Sequence, residues 1–263
     1  MSETKADYSQ GDIARALRAA GLSADDSLFV HSNIGFFGRL ADASAPDAYY
    51  LAFKDAIFSV IGEDGTLVVP TFSYSFCRGE PFSREGTRSV CGFFSEMVRL
   101  DPEARRSDDA NFSVAALGRK AEYFTRDAPQ HSFGPDSFFE RFLKEDGKIC
   151  NFNFDAGSTF IHYAERLLKV PYRFDKAFAG KSVINGNEIE KCFYHFVYDL
   201  EKPENGPDFV ALDKLARKRG LVRTARLGRG AVVVISARDT LELIKSELKV
   251  NPSFLVRGPL NTG

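Results

Sequence analysis

The sequence predicts an α/β protein: a layered α/β/α fold with a mixed central sheet, plus a small β-hairpin/helix C-terminal portion. Three observations carry this. Short apolar runs bounded by turn residues alternate with longer amphipathic stretches, as strands alternate with helices in a layered fold. Three of the runs end at polar corners, at His31, Pro70 and Asp155, the strand-end positions where such sheets bind ligands. Late in the chain Asn185-Gly186-Asn187 separates two extended runs, a strong hairpin signal. A single domain over 1–263 is long enough to bury a core without a disulfide or a metal.

The elements follow in order. Ser9 to Ala20 reads as a helix, with Ile13, Leu17 and Ala20 on one face and Gly21 as its stop. Ser27–Val30 is a buried strand running into His31-Ser-Asn-Ile-Gly35. A helix over about Asp47–Ile61 ends at Gly62, and Asp64-Gly65 turns into the strand Thr66–Val69. Residues 73–90 lack periodicity and read as a long loop over the site. Gly92–Leu100 is helical, Asn111–Leu117 a strand, and helices follow from Arg119 and over Ser137–Lys144. Lys148–Phe154 is a strand, and the next helix stops before Pro171. The hairpin spans Lys181–Tyr198. Phe209–Arg219 and Ala237–Leu248 are helices, Leu221–Arg226 and Ala231–Ile235 strands, and 258–263 a tail.

Acids and bases nearly cancel, for a net charge of −1, which argues against electrostatic capture of nucleic acid or a membrane surface. The 25 Phe with no Trp point to an aromatic core. Cys77, Cys91, Cys150 and Cys192 have neither zinc nor redox spacing and suit a reducing cytoplasm, mostly as small buried hydrophobes. Met-Ser-Glu-Thr-Lys is no signal peptide, and no apolar run reaches membrane-spanning length.

The densest chemistry lies in Asp155-Ala-Gly-Ser-Thr-Phe-Ile-His-Tyr-Ala-Glu165, at a strand-to-helix corner. Thr159, His162 and Glu165 recur at i, i+3 and i+6 and so share a helical face. An imidazole there can act as a base, and a carboxylate one turn on can orient it. The plainer account is that Thr159 or Ser158 caps the helix and His162–Glu165 is an ordinary surface pair. There is no Gly-x-Ser-x-Gly elbow, no phosphate loop, no dinucleotide fingerprint around Gly228-Arg-Gly230, and no set of metal ligands.

What remains is an ordered set: Val30-His-Ser-Asn33, Gly65-Thr-Leu-Val-Val-Pro-Thr-Phe72, and Arg106-Ser-Asp-Asp-Ala-Asn-Phe-Ser-Val-Ala-Ala-Leu-Gly118. Phe133-Gly-Pro-Asp-Ser137, Asp146-Gly-Lys148, Ser158-Thr-Phe-Ile-His-Tyr-Ala-Glu165 and Pro171-Tyr-Arg173 follow. In order and spacing this set resembles the aminoglycoside 3-N-acetyltransferase family, from about Ile13 to Val256. The resemblance implies acyl transfer from acetyl-CoA to a small-molecule amine. His162 would be the base, Glu165 its orienting carboxylate, and Thr159 a donor to the thioester oxygen. His31, Ser32 and Asn33 would meet the pantetheine arm. Arg105, Arg106 and Ser107 would meet coenzyme A phosphates, with Ser113 near the same cofactor.

The chain departs from the family pattern in two places. It reads Arg106-Ser-Asp-Asp-Ala110 where members usually have Arg-Ser-x-His-Pro, and Asn151-Phe-Asn-Phe-Asp155 where they have a glycine-containing turn. Near-neutral charge suits a polycationic aminoglycoside poorly, which favours an amino sugar or sugar nucleotide, with Asp155 on a substrate hydroxyl or amine and Arg173 and Lys176 on a phosphate. A non-catalytic binding module of the same fold, a different acyl-CoA and an aminoglycoside acceptor stay open, as does a homodimer. His131 and His195 have no constellation in the sequence.

Overall fold

The structure is a computed structural model that describes residues 6–43, 45–184 and 186–258. The N-terminal Met1–Lys5, the hairpin-turn Asn185 and residues 259–263 of the tail lie outside the described residues. The elements are α1 (Gln10–Ala19), β1 (Ser27–Ser32), α2 (Pro46–Ile61), β2 (Thr66–Pro70), β3 (Phe82–Ser83), α3 (Phe93–Leu100), β4 (Arg105–Arg106), β5 (Val114–Gly118), α4 (Ala121–Thr125), α5 (Phe138–Lys144), β6 (Lys148–Phe152), α6 (Phe160–Leu167), β7 (Arg173–Ile184), β8 (Asn187–Tyr198), α7 (Val210–Lys218), β9 (Arg223–Leu227), β10 (Gly230–Ser236) and α8 (Ala237–Leu248).

The central sheet runs β4-β5-β2-β1-β6-β10-β9. β2, β1 and β6 are parallel, and antiparallel strands flank them on both sides. β1 is apolar because it is buried on both faces, as parallel strands are. Leu28 and Val30 pack with α1, α2 and α3, whereas Phe29 packs with α5, α6 and α8. The sheet is thus mixed and sandwiched between helix layers, as the sequence predicts. Its three parallel strands end together, which brings the corners after Ser32, Pro70 and Phe152 to one edge.

The late strands β9 and β10 complete the central sheet beside β6. Three expectations are corrected. The hairpin begins at Arg173 rather than Lys181, and β3 pairs with β7 to make a second sheet. Most of β7 stands clear of the body, so burial imposes no alternation on Arg173–Gly180. Residues 73–90 are not a free loop over the site. Ser73, Ser75, Phe76, Phe82 and Ser89 are buried, and Ser73 Oγ donates to Ala110 O at 2.6 Å. The segment lacks periodicity because its backbone bonds to other loops. All four cysteines are free, but only Cys150 is buried, and Cys77 is exposed.

Candidate active site

Asn151, fully buried on β6, organises the corner that leads into α6. Its Nδ2 donates to Asp155 O and Gly157 O at 2.5 and 2.8 Å, and its Oδ1 faces His31 Nδ1 at 3.1 Å. His31 therefore braces the corner from the neighbouring strand. Burial pulls His31 down to about 4 against the opposing pull of the Asn151 hydrogen bond, so the ring is neutral at pH 7. On the far side Ala156 N donates to Asp213 Oδ1 of α7 at 2.9 Å, and Asp155 Oδ1 accepts from Gly157 N.

The helix begins at Phe160, with Thr159 in helical backbone (φ −62°, ψ −20°). The Thr159 hydroxyl makes no capping bond, so the account of it as a simple cap does not hold. One turn on, His162 Nδ1 meets Glu165 Oε2 at 2.7 Å. Glu165 is wholly buried, which removes the surface-pair account as well. Its second partner is Arg173, whose Nε lies 2.7 Å from the same oxygen with 3% of its side chain exposed. Burial alone would push the Glu165 carboxyl up, but the His162 bond and the charges of His162 and Arg173 outweigh it and hold it below the usual carboxylate range. Phe133 and Phe209 wall the His162 ring at 5.7 and 5.9 Å between centroids.

Arg173 is therefore not available to a substrate phosphate; it anchors Glu165. Lys176 lies exposed on β7, over the Phe178 ring. Asp155 is exposed at the corner, on the side of the loop that lines a cavity with Arg217 and Arg226.

The residues expected at coenzyme A phosphates are placed differently. Arg106 is buried, and burial pulls its guanidinium down to about 10. Its donors go to Thr71 O, Arg84 O and Thr87 O at 2.8, 3.0 and 2.5 Å, and to Ser113 Oγ at 3.1 Å. Ser107 Oγ accepts from Val114 N, and Ser113 Oγ donates to Thr71 O. These three residues bind strands and the 84–87 turn to one another. Arg105 is exposed and pairs with Glu122 at 2.7 Å. By contrast, His31, Ser32 and Asn33 stand at the strand-end edge, with Asn33 tied to Phe152 O and to Asn153.

Sequence reasoning missed a polar network around His195. The buried His195 Nε2 meets Asn111 Nδ2 at 3.0 Å, and its Nδ1 lies 3.9 Å from Cys77 Sγ. Asp109 accepts from Asn111 N, Phe112 N and Ser132 Oγ at 2.9, 2.8 and 2.5 Å. The departure at Asp108-Asp109-Ala110 thus builds a buried turn. The alternation of β8, with Phe193 and His195 both inward, was the one signal available.

The chain is similar to known proteins in sequence and in fold. Residues 29–249 match the family model of aminoglycoside 3-N-acetyltransferase. Aminoglycoside N(3)-acetyltransferase VII of Streptomyces paromomycinus is 26% identical over 258 residues, covering 88% of each chain. The structure of AAC-IIIb in binary complex with CoASH superposes at a TM-score of 0.78, with 23% identity over 92% of this chain and 97% of that one. AAC-VIa bound to sisomicin also gives 0.78, with 21% identity over 92% and 98%. Among the described residues no helix is long and apolar enough to cross a membrane, and no cluster of residues is arranged to hold a metal ion. This chain belongs to the aminoglycoside 3-N-acetyltransferase family.

Proposed function

We propose that the protein transfers the acetyl group of acetyl-CoA to the amine of an amino sugar, a sugar nucleotide or a related small molecule, with His162 as general base. The carrying observation is the 2.7 Å contact between His162 Nδ1 and the buried Glu165. A carboxylate there accepts Nδ1–H, which leaves Nε2 as the proton-accepting nitrogen. Acetyl-CoA supplies the activated acyl group when bound. His162 Nε2 then takes the proton from the amine as its nitrogen bonds the acyl carbon, the C–S bond breaks and the coenzyme A thiolate leaves; Glu165, itself held by Arg173, orients the ring as it gains charge. Thr159 lies on the same face and has no capping role, which supports it as the donor to the thioester oxygen.

The strand-end edge suits a ligand with amide and carbonyl groups. His31 Nε2, Ser32 Oγ and Ser158 Oγ are buried there without a partner among the described residues, and such atoms are costly until something bonds them. AAC-IIIb, of the same fold, binds coenzyme A, and AAC-VIa binds sisomicin.

Thiol release from acetyl-CoA, measured over a panel of amino sugars, sugar nucleotides and aminoglycosides, tests this reading. His162→Ala is expected to lower kcat by roughly a hundredfold or more. A variant that keeps most of its rate removes His162 as the base, and release that no amine stimulates in the parent protein removes the transferase reading.

A further inference from the structure

Beyond the corner that carries His162 lies a cavity of about 850 Å³ that neither the core nor the catalytic residues account for. Its walls bring together two kinds of side chain. Phe36 and Phe154, 67% and 46% exposed, present rings to solvent from the turns after β1 and β6. Arg217, Arg226 and Arg229 add three guanidinium groups. Arg217 and Arg229 are each paired with one carboxylate, Asp213 and Asp7, at 2.9 Å. Arg226 has no ion pair among the described residues and donates only to Gly228 O at 3.4 Å. The one carboxylate in the wall, Asp155, already accepts from Gly157 N.

Bare rings on a surface mark a binding site, and clustered guanidinium groups concentrate positive potential. The ligand chemistry that satisfies both is a flat ring system carrying phosphate. Its ring stacks on phenylalanine, and its phosphate oxygens accept from guanidinium forks. The cavity lies on the same side of the sheet as His162. On β9, Ala225 and Leu227 face the α1–α2 side of the sheet, so Thr224 and Arg226 face the side that carries α6 and α7. Helix α7 joins the two places: Phe209 at its start packs against His162, and Arg217 lines the cavity. Eight residues at helical rise separate them by roughly 12 Å, about the reach of a nucleotide joined to a group at His162.

We infer that this cavity is a nucleoside-phosphate subsite, held by Phe36, Phe154 and Arg226. Under the acyltransferase reading, on which this choice of sources rests, the nucleotide is either the phosphoadenosine end of coenzyme A or the nucleotide half of the amine acceptor. Calorimetric titration distinguishes them, using adenosine 3′,5′-diphosphate and uridine diphosphate as probes, each with and without saturating coenzyme A. Adenosine 3′,5′-diphosphate displaced by coenzyme A assigns the cavity to the cofactor. Uridine diphosphate that binds equally well beside saturating coenzyme A assigns it to the acceptor. In either case Arg226→Ala and Phe154→Ala, checked for unchanged thermal midpoints, are expected to weaken the bound probe roughly tenfold or more. The inference is overturned if neither nucleotide binds at millimolar concentration, or if both variants bind as the parent protein does. Intact coenzyme A binding and amine-dependent thiol release in those variants would then leave the acyltransferase reading standing while the subsite falls.

Discussion

Arg173 Nε and Glu165 Oε2 meet at 2.7 Å with both side chains almost wholly buried, and the same oxygen holds His162. The arginine comes from the first residue of the hairpin, so the second sheet reaches back to the His162–Glu165 pair of α6. A buried ion pair broken from one side leaves the other charge uncompensated, and Arg173→Ala is expected to cost about 3–5 kcal/mol of stability. It should also lower kcat, with little change in either KM, because it acts through Glu165 and not on a ligand. Equilibrium denaturation and steady-state kinetics on the same variant check both statements. A raised acceptor KM at unchanged kcat would instead return Arg173 to substrate binding. Glu165→Gln keeps the shape but loses the charge. Since the native carboxyl is held low, the stability it contributes is present at neutral pH and lost as pH falls below the ordinary carboxylate range. The gap between the parent protein and Glu165→Gln should therefore narrow on acidification.

Arg106 makes a second prediction, because its guanidinium is bonded to carbonyls and hydroxyls rather than to a carboxylate. Arg106→Ala orphans the carbonyls of Arg84 and Thr87, leaves Thr71 O with Ser113 Oγ as its donor, and opens a space over the Phe82 ring, where the guanidinium sits at 5.0 Å. Hydrogen bonds to charged groups contribute about 1.5–3 kcal/mol each and are not additive, which puts the loss at about 3 kcal/mol. Thermal unfolding should show it. A phosphate-binding role predicts the opposite signature, an unchanged melting midpoint with weakened coenzyme A binding by calorimetry.

The contrast between these two arginines shows what the sequence could carry. Thr159, His162 and Glu165 were legible because their relation is local: spacing along one helix decides which side chains share a face. Helix α8 was legible to its end residues for the same reason, with Ser236 as its cap and Asn251-Pro252 beyond. Whether Arg106 turns inward or Arg173 reaches Glu165 depends on strand pairing far along the chain, which composition and periodicity do not encode. A basic run reads as solvent-facing until its acceptors are known. The packed segment 73–90 failed similarly, since loops that bond to loops leave no period.

Asp109 stands where the family usually has a histidine, and its carboxylate collects three donors. One of them, Ser132 Oγ, tethers the segment that carries Phe133 to the wall of the His162 cleft. Asp109→Ala is expected to cost about 2–4 kcal/mol, from buried donors left without acceptors. It should also raise the acceptor KM as Phe133 loosens. Asp109→Asn keeps one acceptor oxygen and should lose less of both. Chemical denaturation and KM measurements separate the variants, and equal stability in all three would remove Asp109 from the network.

His31 sets the acid limit. Its ring nitrogen Nε2 is buried without a partner, and its pKa is pulled to about 4 by burial, opposed by Asn151. An unfolded histidine titrates near 6.5. Between those two values the unfolded chain binds a proton that the folded chain refuses, so stability rises with pH across the window and falls on acidification. The full difference amounts to roughly 3 kcal/mol. His31→Gln removes the titrating group and should flatten the stability profile between pH 6.5 and 4, whatever it costs at neutral pH. The Glu165 contribution is lost only below the ordinary carboxylate range, so it overlaps no more than the lower edge of the His31 window. Parallel profiles for the parent protein and His31→Gln would mean that His31 takes up its proton as readily in the fold as in the unfolded chain, and that burial does not hold the brace between β1 and the Asn151 corner neutral.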